Sequence, residues 1–136
     1  MKIRAISGII MLAVLVSCGG DKIKKALDLK LEGINLVQSS DYDEALDKLE
    51  QSLDYNDQDP ETYYYIGNAW FGKNDRDKAF DYYCKAIEVD SNYAQAYVNR
   101  GKIYSMRNDK DNACKDWLKA ESLGVTNLKE DTKFCK

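Results

Sequence analysis

The sequence predicts an all-α fold: a stack of three helix-turn-helix units closed by a C-terminal capping helix. Three observations carry this. Gly33, Gly67 and Gly101 stand 34 residues apart. Twelve residues after each comes an alanine (Ala45, Ala79, Ala113), and four further on a large side chain (Leu49, Tyr83, Trp117). The middle of each unit carries a matching turn signal, Ser40-Asp41, Asn74-Asp75 and Asn108-Asp109. A period of this length marks stacked helical pairs, each burying its apolar face on the next.

The helices follow from this frame, spanning roughly 26–39 and 43–55, then 60–73 and 77–89, then 94–107 and 111–123. Small residues at the glycine and alanine marks let paired helices approach closely. Large residues at other recurring marks, such as Leu36, Trp70 and Tyr104, fill the layer between units. Asn tolerates left-handed backbone at a helix end, and Asp caps the helix that follows. A second acid (Asp43, Asp77, Asp111) meets the positive end of the helix dipole. Asp59-Pro60 supplies a cap and a first helical residue. After Leu123-Gly124 the chain turns, and Leu128 to Cys135 is expected to form the capping helix.

These marks resemble the tetratricopeptide repeat, whose pattern is an aromatic, two residues, Leu-Gly, two residues, Tyr, then Ala, three residues, Phe. The second unit fits as Tyr63-x2-Ile66-Gly67-x2-Trp70 with Ala79-x3-Tyr83. The third departs at Arg100 and the first at Glu32, where an aliphatic is usual. The family's proline near each repeat end is replaced by Asp57, Ser91 and Val125. The resemblance covers about 26–127 and implies a right-handed superhelical stack with repeats at about 26–59, 60–93 and 94–127 and a cap at 128–136.

The first 25 residues carry a different message. Lys2 and Arg4 precede an uncharged apolar stretch, Ala5 to Val16, which ends in Leu15-Val16-Ser17-Cys18. That is the order of a signal peptide, too short to span a bilayer as a helix. Its ending resembles a bacterial lipobox, which implies cleavage after residue 17 and lipid on Cys18. An ordinary secretory signal or a short uncleaved anchor are the alternatives. Residues 18–25 are expected to form the lipidated N-terminus and a short linker, with Gly19-Gly20 flexible and Asp21 a helix cap. Lipidation places the protein in the cell envelope, on the periplasmic side of a membrane, the outer one being favoured.

Composition excludes several functions. There is no histidine, the usual general base and zinc ligand. No phosphate-binding glycine loop or nucleophile motif appears, so neither a catalytic residue nor a cofactor is expected. The Asp-x-Asp pairs recur where capping explains them, and none continues into a calcium loop, so no metal site is expected. Net charge is −3 overall; without Lys2 and Arg4 it is −5, from 18 basic and 23 acidic residues. An acidic body argues against nucleic acid, whose binding rests on phosphate neutralisation.

The resemblance implies that the first helix of each repeat lines a concave face. Its positions are Lys30, Ile34 and Val37; Tyr64, Asn68 and Phe71; and Val98, Lys102 and Ser105. We expect this groove to bind another protein or peptide, although Tyr64 and Phe71 could instead pack against neighbouring repeats. One subclass grips a C-terminal carboxylate. At its positions this chain has Lys30, Ile34, Tyr65, Gln95 and Asn99, of which only Lys30 fits, so that mode is not expected. The expected function is a non-catalytic, membrane-anchored adaptor. The rivals are a pilotin-like or chaperone-like assembly helper and a small-ligand-binding lipoprotein. Exported thiols tend to pair. A disulfide is expected between Cys114 and Cys135, level across the last hairpin, with Cys84 a buried free thiol; the alternative is that all three are reduced.

Overall fold

A computed structural model describes the backbone of residues 7–135 and the side chains of 19–135. The charged start of the expected signal peptide, with Lys2 and Arg4, and the side chain of Cys18 lie outside the described residues. Among the described residues seven helices follow in order: α1 (Ser7–Gln38), α2 (Tyr42–Tyr55), α3 (Pro60–Gly72), α4 (Arg76–Val89), α5 (Ala94–Met106), α6 (Lys110–Ser122) and α7 (Lys129–Thr132). Among the described residues there is no strand, and no helix is long and apolar enough to cross a membrane. The chain forms three helix pairs, α1 with α2, α3 with α4 and α5 with α6. These pairs stack through α2 on α3 and α4 on α5.

The repeated glycines set the spacing within each pair. A Cβ built on Gly33 would lie 2.5 Å from Leu49, one on Gly67 2.6 Å from Tyr83, and one on Gly101 2.7 Å from Trp117. Each glycine therefore faces the large residue sixteen positions later. Ala45, Ala79 and Ala113 are buried beside them. The two departures from the repeat pattern obey the same register. Glu32 pairs with Lys48 at 3.0 Å, and Arg100 makes a two-pronged pair with Asp116, each contact 2.8 Å. The second repeat has Ile66 and Tyr82 at these positions.

The turns also repeat. Ser40, Asn74 and Asn108 have φ of 67°, 65° and 61°. The amide of the following Asp donates back five residues, to Leu36, Trp70 and Tyr104, which closes each preceding helix in a Schellman motif. Asp75 and Asp109 then cap the next helix by accepting from Lys78 N and Asn112 N. Two hydrogen bonds from Asn112 hold the Asp109 carboxyl below its usual range. Asp41 departs from this role: its carboxylate accepts from Ser39 Oγ at 3.0 Å and makes no cap bond. The first-turn acids tie successive repeats as well, Asp43 to Lys73 and Asp77 to Arg107. Such exposed pairs contribute at most about 1 kcal/mol each.

Three expectations are corrected. Gly19-Gly20 is not a flexible link and Asp21 is not a cap, because α1 runs unbroken through them. A glycine in a helix costs only about 1 kcal/mol relative to alanine, which weakens the helix without ending it. The capping helix is a single turn, Lys129–Thr132, rather than Leu128 to Cys135. Of its surroundings only Leu128 is deeply buried, while Phe134 is 79% exposed, so no apolar face sustains a longer helix. Cys84 is free but half-buried, with an Arg100 guanidinium nitrogen 3.5 Å from its sulfur. The tail is joined to α6 by a Cys114–Cys135 disulfide, with Cα atoms 5.4 Å apart.

Candidate functional site

The concave face carries an open pocket of about 240 Å³ at the junction of the three repeats. Its floor is a polar cluster that Gly67 makes possible. Because Gly67 has no side chain, the ring of Tyr83 packs closely against α3. Its hydroxyl then reaches the adjacent residue and donates to Asn68 Oδ1 at 2.8 Å. Asn99 Nδ2, from α5, donates to the same oxygen at 2.9 Å, and also approaches the hydroxyls of Tyr83 at 3.3 Å and Tyr64 at 3.4 Å. Burial pushes the Tyr83 phenol well above its ordinary range, against a smaller opposing effect of the Asn99 contact. It therefore stays a neutral donor throughout the physiological range. Among the described residues, the Asn68 amide nitrogen and the Asn99 amide oxygen have no hydrogen-bond partner, and both residues line the pocket. An amide donor and an amide acceptor in one pocket match the two groups of a peptide bond.

The walls are apolar with one charge. Phe71 from α3, Val37 from α1 and Tyr42 from α2 line one side. Lys102, exposed on α5, places its ammonium 5.2 Å from the Phe71 ring centroid. This leaves a cation at the rim, free to meet an acidic group.

The expected groove residues divide. Val37, Asn68, Phe71 and Lys102 come together in the pocket. Tyr64 is packed instead, with ring centroids 5.2 to 5.9 Å from Tyr65, Tyr83 and Tyr93. Val98 packs in the cluster around Tyr97, Ala120 and Leu128, and its carbonyl accepts from Trp117 Nε1 at 3.2 Å. Ile34 is half-buried and does not line the pocket. Lys30 is held by Asp59 at 2.9 Å and Glu61 at 2.8 Å, with its side chain only 14% exposed. Burial lowers the Lys30 pKa, but the hydrogen bonds to Glu61 and Asp59 outweigh it and raise the value overall. The one residue that fits the carboxylate-gripping pattern is thus already paired. Asn99, Tyr83 and Tyr42 are pocket residues that the groove-facing offsets omit. Asn99 stands two before Gly101, and Tyr83 belongs to the helix behind the groove, so only its length brings the hydroxyl through.

Of the Asp-x-Asp carboxylates, Asp75 and Asp109 cap helices and Asp43 and Asp77 form ion pairs, and among the described residues no three potential ligands cluster around a metal position.

No family model matches the chain, and no curated protein matches it. Solved structures do. The first TPR domain of Spaghetti (RPAP3), bound to the HSP90 peptide SRMEEVD, is 26% identical over 81% of this chain and 86% of its own, with a TM-score of 0.73. The first TPR domain of human RPAP3 is 25% identical over 82% and 87%, also at 0.73. The TPR domain of Arabidopsis OM64 shares the fold at 18% identity, with coverage of 82% and 94% and a TM-score of 0.76. With three helix pairs in a 34-residue register and these likenesses, the chain has the tetratricopeptide-repeat fold.

Proposed function

We propose that the protein is a non-catalytic adaptor of the bacterial cell envelope that holds an extended segment of a partner protein in its concave groove. One observation carries the groove reading: the hydrogen-bonded Asn68–Asn99–Tyr83 cluster lines one open pocket together with Phe71 and Lys102, so amide groups, an aromatic ring and a cation meet there. The similar Spaghetti domain was solved with a bound peptide, which supports peptide binding by this fold. The small-ligand reading is disfavoured by shape: the pocket is open, whereas small-molecule sites bury most of their ligand's surface.

The anchor belongs to the same proposal and rests on Leu15-Val16-Ser17-Cys18 after the apolar stretch. Acyl chains on Cys18 would hold the domain at the periplasmic side of a membrane, since each buried methylene contributes about 0.8 kcal/mol. Intact-mass analysis of the mature protein tests this. We expect a lipidated N-terminus at Cys18, and with Cys18→Ser an unlipidated chain that is uncleaved or soluble. An unmodified N-terminus at another residue contradicts the anchor.

Cross-linking in intact cells, followed by mass spectrometry, tests the adaptor. A stable single partner supports it. Many transient clients point instead to an assembly helper.

A further inference from the structure

We propose a second peptide-binding pocket, one repeat further along the groove, whose outer wall is the disulfide-held tail. It rests on the groove reading given above and deepens it. The repeat itself locates the site. The first pocket is built on Phe71 and Tyr83, four and sixteen residues after Gly67. The same offsets from Gly101 give Ser105 and Trp117, and these two line a separate open cavity of about 300 Å³.

The far walls differ. In the first pocket that wall is α5, with Asn99 and Lys102. In the second it is the tail, with Asp131 and Phe134. The tail is fixed at three points: the Cys114–Cys135 bond, a 3.0 Å hydrogen bond from Thr132 Oγ1 to Glu121, and the buried side chain of Leu128. Cys114 occupies the position that Phe80 holds one repeat earlier, where the Phe80 ring packs edge-on against Tyr104 with centroids 5.1 Å apart. A covalent bond thus stands where an aromatic contact joins repeats two and three.

The second pocket is mainly apolar, with Lys110 and Asp131 as the charged members of its lining. Trp117 has already given its N–H to the Val98 carbonyl, so its ring offers carbon surface and no donor. Ser105 in place of a phenylalanine opens the floor. Phe134, 79% exposed, presents a large aromatic ring to water beside it. Exposed aromatic surface bordering a cavity is what a partner's apolar side chain covers. The occupant is a second apolar anchor on the same extended segment whose first anchor meets Phe71. Because Phe134 and Asp131 depend on the tail, breaking the Cys114–Cys135 bond weakens the second anchor.

The test selects displayed random peptides of about 16 residues, roughly 50 Å when extended, on the full chain in detergent micelles, with affinities from fluorescence anisotropy. Enriched peptides should carry two apolar anchors. Cys135→Ser and Phe134→Ala should each weaken them about tenfold or more. Peptides shortened to the first anchor should be unaffected by either change and weakened by Phe71→Ala. Circular dichroism verifies folding, and Phe134→Ala removes an exposed ring without touching the disulfide. Two-anchor peptides that bind both variants as they bind the unaltered chain overturn the second pocket. Peptides lost with Phe134→Ala but indifferent to Phe71→Ala support the tail pocket while overturning the groove reading. A library that yields no binder overturns both.

Discussion

Replacing Tyr83 with alanine should lower unfolding free energy by about 3–5 kcal/mol, the range for removing a fully buried large aromatic. Tyr83 is 1% exposed and fills the space left by Gly67. Its loss opens a cavity and removes the hydroxyl that orients Asn68. Tyr83→Phe separates the two effects. It keeps the ring and should cost only about 1 kcal/mol, because Asn68 and Asn99 still bond each other at 2.9 Å. Urea titrations followed by circular dichroism measure both. The phenol adds a pH signature. Its folded pKa lies above the ordinary value of 10.0 because burial disfavours the phenolate. Its contribution is therefore fully present below about pH 10 and is lost as pH rises toward the folded pKa. Tyr83→Phe should flatten part of the alkaline loss of stability.

The second large effect is expected at Asp116. Breaking its pair with Arg100 leaves a guanidinium only 18% exposed without its carboxylate, and Asp116→Ala should cost about 3 kcal/mol. Exchanging both residues for leucine should be close to neutral, since ion pairs of this kind are often replaceable by packed apolar groups. The second repeat already has Ile66 and Tyr82 at the equivalent positions. A double-mutant cycle by urea unfolding checks this. A single-mutant cost under about 1 kcal/mol would show that Arg100 finds water instead.

The repeat was the most legible part of the molecule because it states each structural requirement three times. Gly33, Gly67 and Gly101 mark close approach whatever surrounds them. Asn74 and Asn108 mark left-handed turns, and Ser40 adopts the same geometry without announcing it by residue type. The departures at Glu32 and Arg100 looked like defects, yet their partners lie at the sixteen-residue spacing that already joined glycine to large residue. The two ends were less legible. The apolar pattern of α1 begins near residue 23, but a helix can extend beyond its apolar stripe, so its start was hidden. The tail has one buried anchor, Leu128, and periodicity cannot size a helix from one residue.

In the groove, offsets from the glycines found Asn68, Phe71 and Lys102, because position along a rigid helix fixes the face. They did not separate these from Tyr64 and Val98. Depth depends on which neighbouring rings arrive from other helices, here Tyr65, Tyr83 and Tyr93 around Tyr64. Lys30 was lost to the site for a related reason. Asp59 and Glu61, at the start of the next repeat, come within bonding distance only after stacking.

The central claim is that the concave pocket, rather than the outer surface, holds the partner. Its most direct test is capture of that partner from gently solubilised envelopes by the tagged full chain, with quantification by mass spectrometry. Phe71→Ala is compared with Glu88→Ala, an exposed position on α4 outside the pocket lining. The account predicts that Phe71→Ala reduces capture about tenfold or more with the helical signal unchanged, and that Glu88→Ala captures as the unaltered protein does. Full capture by Phe71→Ala together with loss in Glu88→Ala would contradict it.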